Sequence, residues 1–164
     1  MHRALDWLRK ESREFLGAAL FFAVAFCLLV LANKLLVRGS NIELAGFARA
    51  IVGGLIVAKV LISVDLLPFV DAFPGKPLVY NIMWKTPIYF GAVLVFRYLE
   101  PLVQSLYAGA GAAAAHRHAV QGFTQPAFWA TEVWIAVFLV IFVTMQELTR
   151  VLGKDKVRLI FLGR

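Results

Sequence analysis

Hydrophobic residues gather along this chain into four long runs, separated by short polar or proline-rich segments. Each run has roughly the 20 residues that an α-helix needs to cross a hydrocarbon core of about 30 Å. The pattern predicts an all-α integral membrane protein, a four-transmembrane-helix bundle in one membrane domain. The predicted spans are residues 15–36, 44–64, 86–107 and 127–146.

Threonine and proline mark the expected starts of the last two spans. Thr86 precedes Pro87, and Thr124 lies two residues before Pro126. Threonine can cap free N–H groups, and proline fits the first helical turn because it has no N–H to satisfy. An earlier start of the third helix, at Leu78, also fits the sequence.

The segments between and beyond the spans differ in composition. Segment 65–85, DLLPFVDAFPGKPLVYNIMWK, contains three prolines but keeps many apolar residues. We therefore expect an ordered cytoplasmic loop rather than a solvated linker. Segment 109–125, GAGAAAAHRHAVQGFTQ, is rich in small residues and is expected to be a mobile loop. The two tails mix apolar and cationic residues, which predicts interfacial N- and C-terminal segments.

The composition supports the membrane interpretation and gives an orientation. Hydrophobic residues make up 61% of the 164 residues and charged residues 16%, whereas a soluble domain is about half apolar and about a quarter charged. The net charge of +7 comes mainly from Lys and Arg in both tails and in segment 65–85. Such residues concentrate on the cytoplasmic side, which predicts two cytoplasmic termini. The expected environment is a lipid bilayer, and no nucleic-acid partner is predicted.

Four charged residues fall within the predicted spans. Arg97 is near the centre of the third run, and Glu100 follows it on the same helical face. Arg49 in the second span and Glu132 in the fourth lie near the non-cytoplasmic side. These residues predict an intramembrane polar cluster. Ionisable groups in a span suggest a proton- or ion-handling site, but a buried network that fixes helix pairing is the favoured interpretation.

The second span carries two further features. Lys59 lies close enough to the cytoplasmic end for its side chain to reach the interface, and Asp65 marks that boundary. Both are expected to be interface charges. Ala50, Gly54 and Ala58 recur every four residues along one helical face. Small residues allow membrane helices to approach closely, so we expect a packing face within the chain, with self-association as the alternative.

No sequence motif indicates a cofactor, a metal centre or a reaction. The single cysteine, Cys27, cannot form an internal disulfide. His116 and His118 can offer weak metal ligation from their loop, although a solvated pair is the simpler interpretation. The chain has no zinc-binding HExxH motif, P-loop or Cys-x-x-Cys motif. We therefore expect no catalytic, cofactor-binding or metal-ligating residues.

The segment Gly54–Phe90, GLIVAKVLISVDLLPFVDAFPGKPLVYNIMWKTPIYF, resembles a group of small bacterial membrane proteins of unassigned biochemical function. The resemblance implies a bacterial inner membrane and a specific role for the middle loop. The little chain outside the spans, the small-residue helix faces and the apolar tails favour an accessory or assembly subunit of a larger complex. A small homo-oligomeric ion channel or transporter is the alternative.

Overall fold

The fold consists of long helices. The computed structural model describes residues 2–36, 44–70, 77–153, 156–157 and 159, and the described residues include no strand. Four of the helices are long and apolar enough to cross a membrane. The protein is therefore an all-α integral membrane protein, as predicted. The helices are α1 (His2–Leu36), α2 (Leu44–Asp65), α3 (Leu78–Tyr107), α4 (Ala112–Phe123) and α5 (Pro126–Leu152).

The helices belong to two compact units, Met1–Leu66 and Leu67–Arg164. In the first unit, α1 packs along α2 at very short range. A Cβ atom added at Gly54 would lie 2.6 Å from the backbone nitrogen of Ala23 and 2.7 Å from the carbonyl carbon of Phe22. Only glycine allows this approach, because a real Cβ would collide with backbone atoms that cannot move independently.

In the second unit, α3 packs against both α4 and α5. Buried side chains recur at intervals of three or four residues on each long helix, which places them on one face. The core between α3 and α5 is apolar along its middle. Its fully or almost fully buried members are Tyr89, Val93, Ile135, Leu139 and Val143.

The long helices extend beyond the predicted spans. The helix α3 begins at Leu78, the earlier of the two starts, directly after Pro77. Pro87 therefore lies inside α3 rather than at its first turn, as does Pro101. The helix α1 begins before residue 15, and α5 continues beyond residue 146.

The predicted loop 65–85 thus contains the first two turns of α3. A hydrogen bond to a backbone carbonyl attaches the turn before α3 to that helix. Trp84 donates a hydrogen bond from Nε1 to the carbonyl oxygen of Phe69, at 2.9 Å, and Val70 is buried. Residues 71–76 of the loop lie outside the described part.

The expectation of a mobile loop at 109–125 is wrong, because most of this segment forms α4. Its run of four alanines has the highest intrinsic helix propensity. Ala115 and Ala119 are buried, and their small side chains let α4 lie close to α3. The two tails are predicted to lie at the membrane interface. The side chains before residue 15 and the residues after 159, on which this prediction depends, lie outside the described part.

Candidate functional site

The first polar feature of the second unit is a buried ion pair between α3 and α5. The Nζ atom of Lys85 lies 2.7 Å from Oε1 of Glu147, and the side chains are 4% and 0% exposed. Nη1 of Arg150 lies 3.5 Å from the same oxygen. Glu147 therefore has two cations beside one carboxylate, in a place where an uncompensated charge would be costly.

The second feature is another ion pair between the same helices. Nε of Arg97 lies 2.8 Å from Oε1 of Glu132, and their side chains are 35% and 1% exposed. The guanidinium carbon also lies 4.9 Å from the ring centroid of Phe128, a cation–π distance. Neither carboxylate oxygen of Glu132 accepts a geometrically sound hydrogen bond. The contact with Arg97 is therefore electrostatic rather than a well-aligned hydrogen bond.

The two ion pairs lie apart along the helices. At about 1.5 Å per residue, Lys85 and Arg97 are separated by about 18 Å along α3. The apolar core of the unit, including Tyr89 and Leu139, fills the interval between them. Both cations are on α3 and both acidic partners on α5. The second unit thus has one ion pair toward each end of an apolar contact.

A polar pocket of about 430 Å³ opens beside the Arg97–Glu132 pair. It lies between α3, α4 and the start of α5, so all of its lining belongs to the second unit. Its lining is rich in groups that form hydrogen bonds. The polar side chains are Arg97, Glu100, Gln104, His118, Gln121 and Gln125, and Pro101, Phe123 and Phe128 contribute apolar surface.

Two histidines of α4 interact with hydroxyl groups of α3, and one of them, His118, lines this pocket. The Nδ1 atom of His116 lies 2.8 Å from the hydroxyl oxygen of Tyr98, and Nδ1 of His118 lies 3.2 Å from Oγ of Ser105. In the described residues, no carboxylate is hydrogen-bonded to His118. The Ser105–His118 pair therefore lacks the third member of a nucleophilic triad. Its structural effect is to attach α4 to α3.

The structure brings together three members of the predicted polar cluster. Arg97 contacts Glu132 directly, and Glu100 lines the pocket together with Arg97. Glu100 is exposed, and its Oε1 lies 3.4 Å from the Nε2 donor of Gln104. Arg49 belongs to the first unit, where its Nε donates to the carbonyl oxygen of Ala45 at 3.2 Å.

The remaining predicted residues all lie on α2. Lys59 is exposed, and its carbonyl oxygen accepts a hydrogen bond from Oγ of Ser63 at 2.9 Å. Asp65 is half-buried and is the last residue of α2. Ala50 is 7% exposed and Ala58 fully buried.

Sequence reasoning missed the Lys85–Glu147 pair. It placed Lys85 in a loop and ended the last span one residue before Glu147, so neither residue was expected in the helix contact. The spacing contains the necessary signal. Once α3 starts at Leu78, Lys85 lies one helical turn before Tyr89, and Glu147 lies one turn after Val143, on the buried faces.

Comparison with models of protein families, with curated proteins and with solved structures gives no match. The class of the protein therefore rests on its own fold. Among the described residues, no group of three or more His, Cys, Asp or Glu side chains is placed to hold a metal ion. The described residues define a multi-pass helical membrane protein with two buried ion pairs between α3 and α5 and a polar pocket beside one of them.

Proposed function

We propose that this protein is a non-catalytic accessory or assembly subunit of a larger membrane complex in a bacterial inner membrane. The observation that carries this proposal is the separation of the two ion pairs by an apolar layer. Charges arranged along a path would suggest movement of ions or protons. Charges at the two ends of a packed contact instead fix how two helices pair.

The energetics of the ion pairs support a structural role. Lys85 and Glu147 are almost completely buried, and separating such charges leaves each in a low-dielectric environment. A displacement of α5 by one turn along α3 would disrupt both pairs together. The second unit is therefore suited to present one fixed helical surface, as a scaffold or assembly subunit does.

The proposed location and orientation have separate support. Lys and Arg are concentrated in both tails and in segment 65–85, which favours cytoplasmic termini. The resemblance of Gly54–Phe90 to small bacterial inner-membrane proteins favours that membrane. Reporter fusions at each end of the chain test the orientation. A reporter that is active only outside the cytoplasm should be silent at both termini, and activity at either would contradict the proposal.

Gentle extraction from native membranes, followed by native mass spectrometry, tests the accessory role. We expect the chain in a complex with a different membrane protein at fixed stoichiometry. Tagging that partner should recover this chain in the same ratio. A monomer, or a homo-oligomer without a foreign subunit, would contradict the proposed role.

One observation favours a second function, a homo-oligomeric ion channel or transporter. Glu132 is fully buried, yet neither of its carboxylate oxygens accepts a hydrogen bond. Its ion-pair partner Arg97 also lines the polar pocket, which links the buried acid to an accessible surface. Intramembrane acids in such surroundings are common in proton and ion pathways.

Flux measurements in liposomes distinguish this function from the accessory role. Purified protein should then conduct ions or protons, and Glu132→Gln or Glu100→Gln should change the flux. Lys59→Gln is a suitable control because Lys59 is exposed on α2, outside the pocket lining. Absence of flux in the wild type, or flux unaffected by both acidic substitutions, would remove these residues from a transport path.

A further inference from the structure

We propose that the pocket between α3, α4 and the start of α5 binds a zwitterionic headgroup that combines a phosphate with a primary ammonium group. The binding elements are Arg97 for the phosphate and Glu100 for the ammonium. The same chemistry occurs in the headgroup of an aminophospholipid and in the corresponding free phosphodiester. The pocket volume of about 430 Å³ accommodates such a group without its acyl chains.

Arg97 supplies the anion-binding part of the site. A guanidinium group has five N–H donors in a planar fork that matches a phosphate. Within the described residues, the polar contact of Arg97 is made by Nε with Glu132. The two terminal nitrogens are therefore available, and the side chain is 35% exposed and lines the pocket. A phosphate in the pocket would satisfy these donors.

Glu100 supplies the complementary charge. It lies three residues after Arg97 and thus on the same side of α3. Its carboxylate has one long contact, 3.4 Å from Gln104, so it can accept hydrogen bonds from an ammonium group. The amide side chains of Gln121 and Gln125 also line the pocket and add carbonyl acceptors on the walls formed by α4 and the start of α5.

The charge balance selects a zwitterion over a simple ion. Glu132 already compensates Arg97, so Glu100 leaves the site with one net negative charge when His118 is neutral. A purely anionic ligand would add to that negative charge. A purely cationic ligand would leave the terminal donors of Arg97 without an acceptor. A ligand with both charges satisfies both groups and does not change the net charge.

The position of the pocket suits a membrane headgroup. Helix α3 has 30 residues and is about 45 Å long, so it extends beyond a hydrocarbon core of about 30 Å. The pocket lies toward its C-terminal end. Nearby, Trp129 donates a hydrogen bond from Nε1 to the carbonyl oxygen of Phe123, at 2.9 Å. Tryptophan is enriched at the membrane–water interface, which supports a pocket near headgroup depth.

Native mass spectrometry of the full chain with three added lipids tests this proposal. Phosphatidylethanolamine has the phosphate and the primary ammonium. Phosphatidylcholine keeps both charges but has no N–H donor, and phosphatidylglycerol lacks the cation. We expect the wild type to retain phosphatidylethanolamine about tenfold more than either of the others, the effect of one hydrogen bond to a charged group. Equal retention of the three lipids would overturn the proposal.

Two variants probe the pocket by independent means. Glu100→Gln keeps the shape of an exposed side chain but removes its charge, and we expect about a tenfold loss of phosphatidylethanolamine retention. Gly122→Leu fills the pocket, because Gly122 lines it and a Cβ added there meets no atom within 4 Å. Gly17→Leu is the matched control, since Gly17 is exposed on α1 and equally unobstructed. Retention unchanged in both pocket variants would overturn the proposal.

Glycerophosphoethanolamine, the free phosphodiester with the same headgroup, distinguishes the source of the ligand. Displacement of the lipid by this compound in the wild type supports a membrane lipid held by its headgroup. Binding of the compound without selective lipid retention supports the same site with a soluble ligand. In either case Glu100→Gln should weaken the interaction, and binding of neither compound would overturn the proposal.

Discussion

Lys85 and Glu147 form an ion pair between α3 and α5 with an Nζ–Oε1 distance of 2.7 Å. Both side chains are almost completely buried. The carboxylate also faces Arg150, at 3.5 Å. Lys85 and Glu147 therefore compensate each other's charge inside the helix contact. The cost of breaking such a pair is set by the charge that is left behind.

Glu147→Gln should destabilise the second unit strongly, because it removes the carboxylate that lies 2.7 Å from the buried Lys85 ammonium. We expect a loss of about 3–5 kcal/mol in the free energy of unfolding. Denaturant titration of the detergent-solubilised protein, monitored by circular dichroism, measures this loss. Lys59→Met, at an exposed position of α2, is the control and should have little effect.

The double variant Lys85→Met with Glu147→Leu removes both charges and should recover most of that stability. It then separates the cost of an uncompensated charge from the net contribution of the pair. A double variant as unstable as Glu147→Gln alone would show that packing, not charge, determines the loss.

Glu132→Gln should cost much less than Glu147→Gln, although both acids are fully buried. The difference lies in the cation that remains. Arg97 is 35% exposed and can be hydrated after the substitution, so we expect a loss of about 1 kcal/mol or less. The same denaturant titration compares the two variants. Equal losses would show that exposure of the remaining cation does not govern the cost.

Gly54→Ala should separate α1 from α2, because the added Cβ would lie 2.6–2.8 Å from backbone atoms of Phe22 and Ala23. Overpacking of this kind costs about 1–3 kcal/mol, which a thermal denaturation curve would detect. The neighbouring Gly53 is the matched control, since its added Cβ would lie 3.4 Å from the side chain of Phe26. If Gly53→Ala were equally destabilising, helix packing at Gly54 would not be the cause.

Tyr98→Phe should loosen α4, because it removes the hydroxyl group that contacts His116. One hydrogen bond contributes about 1 kcal/mol, so amide exchange in residues 112–123 should accelerate about fivefold. Hydrogen–deuterium exchange with mass spectrometry measures this change. Arg117→Ala is the control, since Arg117 bonds within α4 to the carbonyl oxygen of Ala113. Unchanged exchange after Tyr98→Phe would show that this contact does not hold α4.

The sequence predicts the helical class and the four spans because long apolar runs are a property of the chain alone. It also indicates Gly54 and its small neighbours, since their four-residue spacing defines a helix face. The helix α4 is not indicated by that signal, because its segment contains no long apolar run. The four consecutive alanines of this segment have high helix propensity, which is a separate property of the sequence.

The site was only partly predictable for a different reason. Arg97, Glu100 and Glu132 are visible as charges inside apolar runs, and two of them form an ion pair. Lys85 and Glu147 lie at the edges of those runs, where charge is normal, so their burial depends on how far α3 and α5 extend. The pocket depends on α4, which adds His118 and Gln121 to its walls.

The distribution of charge between α3 and α5 also has a consequence for synthesis of the protein. Lys85 and Arg97 leave the ribosome before either acidic partner, and each charge in an isolated helix opposes insertion by up to about 3 kcal/mol. Entry of α3 alone into lipid is therefore less favourable than entry together with its acidic partners. We expect α3 to remain beside the insertion machinery until α5 has emerged, and the two helices to be released into the bilayer as a pair.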